Sequence, residues 1–129
     1  MPPGTVIPEL AYTDVRAAAE WLCRAFGFSE RLRIGDHRVQ LRVGDAAIVV
    51  VQQAATPAGS GGIMVRVADV DAHHATAAAM GARILGVPVD YPYGERQYSA
   101  VDPGGHRWTF SQSIADVDPA TWGGELVEG

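Results

Sequence analysis

The residues that could do chemistry concentrate in the second half of the sequence. Glu95 and Arg96 are adjacent. A carboxyl group in that place could act as a general acid or base. A guanidinium could clamp a carboxylate or phosphate through its planar fork. The same two side chains could equally form an ion pair that only holds the fold. Tyr91, Tyr93 and Tyr98 surround them. Rings with a hydroxyl tip suit pocket walls, and also interfaces and strand cores. His73 and His74 are neighbours. On a helix they point about 100° apart, so they do not face one ion. Helical metal pairs use a spacing of four instead, and these two read as surface or partly packed histidines. His106 follows an Asp-Pro-Gly-Gly loop and reads as structural, and His37 opens a strand. Cys23 is the single cysteine, which rules out an internal disulfide and suits a buried, inert thiol. The run 111–113 has no base near it in sequence. Gly-Ser-Gly-Gly at 59–62 lies between strand-like segments, where a phosphate loop has no helix to open.

These groups need elements to position them. Residues 5–12 read as a strand. Asp14 then caps a helix whose apolar positions Val15, Ala18, Ala19, Leu22 and Phe26 share one face, and Gly27 closes it. Three strand-like runs follow, SERLRIG, HRVQLRV and AIVVV, the last two joined by a Gly44-Asp45 turn. ATPAGSGG reads as a linking loop. The order then restarts: a strand IMVRVA, an Asp69-capped helix from Val70 to about Met80, and strands ILGVPVDY, ERQYSAV and HRWTFSQ. A polar tail ends the chain. The pattern is an internal repeat of order βαβββ, with the two capping aspartates 55 positions apart. The expected fold is therefore α+β, two tandem βαβββ modules forming a curled mixed sheet around a cavity. One domain is expected, with modules at about 5–54 and 62–113 and a tail at 114–129.

With Gly44-Asp45 as the turn, Val39, Leu41, Val43, Ile48 and Val50 face the first helix. Arg38, Gln40, Arg42, Val49 and Val51 face the other way. With Asp-Pro-Gly-Gly as a four-residue loop, Arg96, Tyr98, Ala100, Arg107, Thr109 and Ser111 share the cavity face, and Trp108 and Phe110 face the helix. A slip of one residue would reverse either assignment.

The net charge of −5, with no basic stripe, disfavours a nucleic-acid partner. No apolar run approaches the ~20 residues that span a bilayer. MPPGTVIPEL lacks the regions of a signal peptide. A cytoplasmic protein with no membrane partner is expected.

The segment YGERQYSAVDPGGHRW at 93–108, and AAAEWLCRAFGF in the first helix, resemble the vicinal oxygen chelate superfamily, which includes glyoxalases, bleomycin resistance proteins and extradiol dioxygenases. The resemblance runs over about 5–113. It implies homodimers, and in metal-dependent members four His or Glu ligands on the first and last strands of each module. Carried over, those positions are Ile7, Val49 (or Val50), Gly62 and Thr109. Ile, Val and Gly side chains hold no donor lone pair, and a Thr hydroxyl is a poor lone ligand. No metal and no other cofactor is therefore expected. The reading is a metal-independent small-molecule binding protein that sequesters a drug or metabolite. The alternative is a lyase, isomerase or dioxygenase of the superfamily, with an atypical metal site or cofactor-free acid–base chemistry. A further alternative is a structural or regulatory dimer with a vestigial cavity. The expected ligand site comprises Arg38, Gln40, Arg42, Val49 and Val51 from one module with Tyr91, Tyr93, Glu95, Arg96, Tyr98 and Thr109 from the other, and suits a planar or partly anionic molecule. Pro8 adds a hint of assembly: proline is tolerated mainly in edge strands, so the first strand could be exchanged with a partner.

Overall fold

The computed structural model describes residues 7–52 and 62–124. The expected linking loop, apart from Gly62, lies outside them, as do the start of the first strand and the last five residues. The element order is β1 (Glu9–Tyr12), α1 (Val15–Phe26), β2 (Ser29–Ile34), β3 (Arg38–Val43), β4 (Ala46–Gln52), then β5 (Gly62–Arg66), α2 (Val70–Ala79), β6 (Arg83–Ile84), β7 (Val89–Tyr91), β8 (Glu95–Val101) and β9 (Arg107–Ser113). A single 3-10 turn at Pro119–Trp122 follows. The fold is α+β, as the pattern implies.

Local chemistry sets these boundaries. Asp14 accepts from the Ala17 amide at 3.1 Å and Asp69 from the Ala72 amide at 3.0 Å, so each helix begins on a carboxylate cap. Gly27 ends α1 in the left-handed region at φ 79°, which a Cβ would disfavour. Val15, Ala18, Ala19, Leu22, Ala25 and Phe26 are the buried stripe of α1. α2 is shorter and alanine-rich, and buries only Val70 and Ala77 completely.

Two separate sheets result, in the orders β1-β4-β3-β2 and β5-β9-β8-β6, with β7 also pairing with β8. β1 lies parallel to its own β4, Glu9 opposite Val49, so the first strand remains in its own sheet. In the first module the register is as read: Val43 opposes Ala46 and Leu41 opposes Ile48. Val39, Leu41, Ile48 and Val50 are buried against α1.

The second module departs from the sequence reading in two places. Val101 pairs with Arg107, leaving a five-residue loop, Asp102–His106, rather than four. The cause is Asp102, whose Oδ1 accepts from both the Gly104 and His106 amides at 3.0 Å and so draws His106 into the turn. Every residue of β8 is thereby turned to the face opposite to that expected relative to the loop: Tyr98 opposes Phe110 and Arg96 opposes Gln112. The segment ILGVPVDY also breaks into β6 and β7. Pro88 offers no amide to the ladder and Gly86 precedes it. Leu85 still donates to the Ser99 carbonyl at 2.9 Å.

The modules meet through their helix-covered sides. Phe26 of α1 packs against Trp108 and Phe110 of β9, with ring centroids 5.6 and 4.7 Å away. The Trp21 indole donates to the Met80 carbonyl at 3.0 Å. Both sheets therefore turn their other, open faces away from this shared core.

Candidate functional site

The DPGGHRW segment latches one module to the other. Asp102 is buried, and its carboxylate accepts from four donors: the Gly104 and His106 amides, the Trp108 indole at 2.9 Å and the Tyr12 hydroxyl at 2.5 Å. Burial first, then the Asp102 charge, push the Tyr12 hydroxyl far above its usual range, so it remains a donor. His106 Nε2 bonds the Ala11 carbonyl at 2.8 Å. Gly104 lies flat against Tyr12; a Cβ there would sit 2.4 Å from the ring. These residues join β1 of one module to the β8–β9 loop of the other, and their role is positional.

The open face of the second sheet is the more chemically varied. The strand register fixes it as four rows. The first holds Arg83, Val101, Arg107 and Gly62. The second holds Ser99, Thr109 and Met64, with Leu85 beside Ser99. Val89, Gln97, Ser111 and Arg66 form the third, and Tyr91, Glu95 and Ser113 the fourth. Ser99 and Thr109 share a hydrogen bond of 2.7 Å. Ser111, fully buried, donates to Glu95 at 2.9 Å and receives the Gln97 amide at 3.2 Å. Arg66 stands 3.5 Å from Glu95. The β6–β7 bend walls one side with apolar groups left in water, Val87 at 70% exposure among them.

The open face of the first sheet carries Glu9, Arg38, Gln40, Arg42, Val49 and Val51, with Leu32 and Ile34 from β2. Arg31 donates to Gln40 at 2.6 Å and Arg38 approaches Glu9 at 3.8 Å. Arg42 has no ion-pair partner among the described residues. This face is aliphatic with a positive edge.

The candidates from sequence thus fall into groups. Arg38, Gln40, Arg42, Val49 and Val51 share one open face. Tyr91, Glu95 and Thr109 share the other. Tyr93 stacks on Tyr91 with centroids 5.3 Å apart and is flanked by Trp122. The chain does not bring the two faces together. Arg96 and Tyr98 do not belong to either: they lie on the helix-covered side, because the loop has five residues. Arg96 donates to Asp71 of α2 at 3.0 Å and to Asp90 of β7 at 2.8 Å, which makes it a tie between those elements. Tyr98 is buried and bonds His73 Nδ1 at 2.5 Å. Burial raises its hydroxyl above the usual range. His73 is partly packed, half-buried between the modules. Its Nε2 faces the Phe26 carbonyl at 2.9 Å, so that nitrogen donates and Nδ1 accepts from Tyr98. Burial lowers the His73 pKa, with the Phe26 bond acting in the opposite sense.

Leu32, Ile34, Met64, Leu85 and Val87 were missed as open-face residues. Period-two alternation on β2 and β5 places Leu32, Ile34 and Met64 there once the partner strands are known. Arg107, read from sequence as cavity-facing, does occupy the open face.

At the positions where a superfamily metal would be expected, the donors do not fit. Val49 is aliphatic and buried, Ile7 is aliphatic, and Thr109 is engaged with Ser99. Gly62 supplies no ligand, and a Cβ at that position would lie 3.0 Å from the Arg107 carbonyl oxygen. Among the described residues no group of three or more His, Cys, Asp or Glu could hold a metal ion. Nor, among them, is any helix long and apolar enough to cross a membrane.

The model of the Glyoxalase/Bleomycin resistance protein/Dioxygenase superfamily matches residues 6–110. The chain belongs to this superfamily. TioX from Micromonospora sp. ML1 is similar to this superfamily member at 34% identity, covering 89% of this chain and all of that one, with a TM-score of 0.73. FosX, a genomically encoded fosfomycin resistance protein from Listeria monocytogenes, shares the fold at 15% identity and a TM-score of 0.71, over 87% of this chain and 94% of its own. An uncharacterized protein of Mycobacterium bovis is 28% identical over 86% of this chain and 84% of its own length.

Proposed function

We propose that this superfamily member is a metal-independent small-molecule binding protein that works as a homodimer. One observation carries the reading. Each module leaves an open sheet face with ligand-grade groups and exposed apolar side chains, and the two faces point away from one another within the chain. Leu32 and Ile34 on one face and Met64, Val89 and Tyr91 on the other are large apolar groups left in water, which marks a binding or association surface. The two faces are complementary: the first is aliphatic with Arg38 and Arg42, the second hydroxyl-rich with Glu95 and Tyr91. A second copy related by a two-fold axis would lay the first face of each protomer over the second face of its partner. That arrangement joins the candidate residues that a single chain keeps apart. Sequestration of a drug or metabolite is the physiological role this favours; FosX, which shares the fold, is itself a fosfomycin resistance protein.

Sedimentation velocity at micromolar concentration is expected to give a dimer, and a melting-temperature screen against metabolites and antibiotics to yield a stabilising ligand, because a ligand that binds only the native state raises the transition. A monomer, or a screen in which no compound moves the transition, contradicts the reading. A second reading rests on Glu95, which Ser111 orients on the open face: an acid–base enzyme without a metal. It predicts turnover of the bound compound that Glu95→Gln abolishes while binding survives.

A further inference from the structure

We infer that the groove between the β6–β7 bend and the start of β9 takes an elongated organic carboxylate, with its charged end at Arg107 and Arg83 and an aromatic end on Tyr91. This rests on the small-molecule reading above and names the ligand class for it. The groove has a volume of about 270 Å³ and is lined by Leu85, Val87, Val89, Tyr91, Ser99 and Arg107. That is near the lower end of ligand-pocket sizes, so the occupant is slender.

The groove is polarised along its length. Arg83 opposes Val101, which opposes Arg107, so the two arginines flank one residue in the first row. Strand spacing puts their Cα atoms roughly 10 Å apart, close enough for both forks to reach one carboxylate. Neither has an ion-pair partner among the described residues. The acid on the same face, Glu95, is at the far end and is engaged by Ser111 and Arg66. Val101 and Glu95 are the two ends of β8, six positions apart, roughly 20 Å at strand rise. Between the ends the wall is aliphatic: Leu85, Val87 and Val89, all largely exposed. At the far end Tyr93 covers one face of Tyr91 in a near-parallel stack of 15°. Tyr91 remains 40% exposed, and an aromatic ring on its free face would extend the stack at a favourable centroid spacing. A planar fork at one end, an aliphatic wall and an open ring at the other match an aryl-alkyl carboxylate and mismatch a sugar or a cation.

The test uses the full chain and three probes of one shape: phenyloctanoate, its primary amide and phenyloctylamine. Titration calorimetry is expected to show the acid binding at least tenfold more tightly than the amide, and the amine more weakly than either. Arg107→Gln should reduce the acid to the affinity of the amide while leaving the amide unchanged. Arg16→Gln, on the first helix and remote from the groove, should leave the preference intact, and melting curves confirm that each variant folds. An acid and amide of equal affinity overturn the inference, as does a tenfold preference that survives Arg107→Gln. Failure of all three probes to bind also overturns it. If other compounds still stabilise the protein, the binding-protein reading stands without it; if none does, both fall.

Discussion

Replacing Asp102 by Ala removes one carboxylate and strands four donors. Two are backbone amides in the loop, which water can reach in part. The other two are the Tyr12 hydroxyl and the Trp108 indole, on residues 2% and 0% exposed, and neither has another acceptor among the bonds described. No buried side-chain polar atom among the described residues lacks a partner in the native protein, so the variant introduces the first such defects. Each stranded buried donor costs about 1–3 kcal/mol. The two together give about 2–6 kcal/mol, a large share of the 5–15 kcal/mol that separates a typical domain from its unfolded state. For a chain of this size about 3–4 °C of melting temperature is lost per kcal/mol, so a fall of about 6–24 °C is expected. Thermal denaturation followed by far-ultraviolet dichroism measures the fall, and urea denaturation followed by tryptophan emission measures the free-energy loss. Tyr12→Phe removes one donor without stranding the carboxylate and should cost less, about 1–2 kcal/mol. In a double-mutant cycle the two losses should be strongly non-additive. A loss below about 1 kcal/mol for Asp102→Ala would refute the latch, since it would mean that the donors find water or new partners.

Three further outcomes follow from the same geometry. Gly104→Ala places a methyl 2.4 Å from the Tyr12 ring and should destabilise by about 1–3 kcal/mol through overpacking, read by urea melts; an unchanged midpoint counts against the contact. His73 titrates below its ordinary value because it is buried, so between the folded and unfolded pKa values the unfolded chain binds more protons. Stability should therefore fall as pH drops below about 6.5, and His73→Gln should flatten that dependence in melts at several pH values; an equally steep variant contradicts it. Arg96→Ala breaks contacts to the exposed Asp71 and Asp90 and should cost under about 1 kcal/mol, leaving the acid-over-amide preference of the groove intact in calorimetry.

The first module was legible because its signals agree. Gly44-Asp45 is a strong turn signal, HRVQLRV alternates without interruption, and AIVVV follows at once, so the register has one solution. The second module misled for a local reason. Asp-Pro-Gly-Gly looks like a complete turn, and nothing in the letters says that the Asp102 carboxylate also captures the His106 amide. One residue of loop length then moved Arg96 and Tyr98 from the ligand side to the helix side. The division of ILGVPVDY was foreshadowed by Pro88, but a two-residue and a three-residue strand are too short for periodicity to register. That His73 is partly packed was within the sequence reading, but its partners were hidden by the near-absence of an amphipathic pattern in VDAHHATAAA: the contacts with Phe26, Phe110 and Tyr98 depend on the other module and on β8 and β9. The metal-position argument needed only residue types, since no backbone arrangement makes Ile, Val or Gly side chains into ligands.

Ligand-induced stabilisation measured with and without divalent metal bears most directly on the account. Once a stabilising compound is found, its melting-temperature shift should be the same in protein stripped by chelator and in protein supplied with Zn, Ni, Fe or Mn, because Ile7, Val49, Gly62 and Thr109 offer the metal no adequate ligands. A shift that vanishes on chelation and returns in proportion to added metal would contradict it.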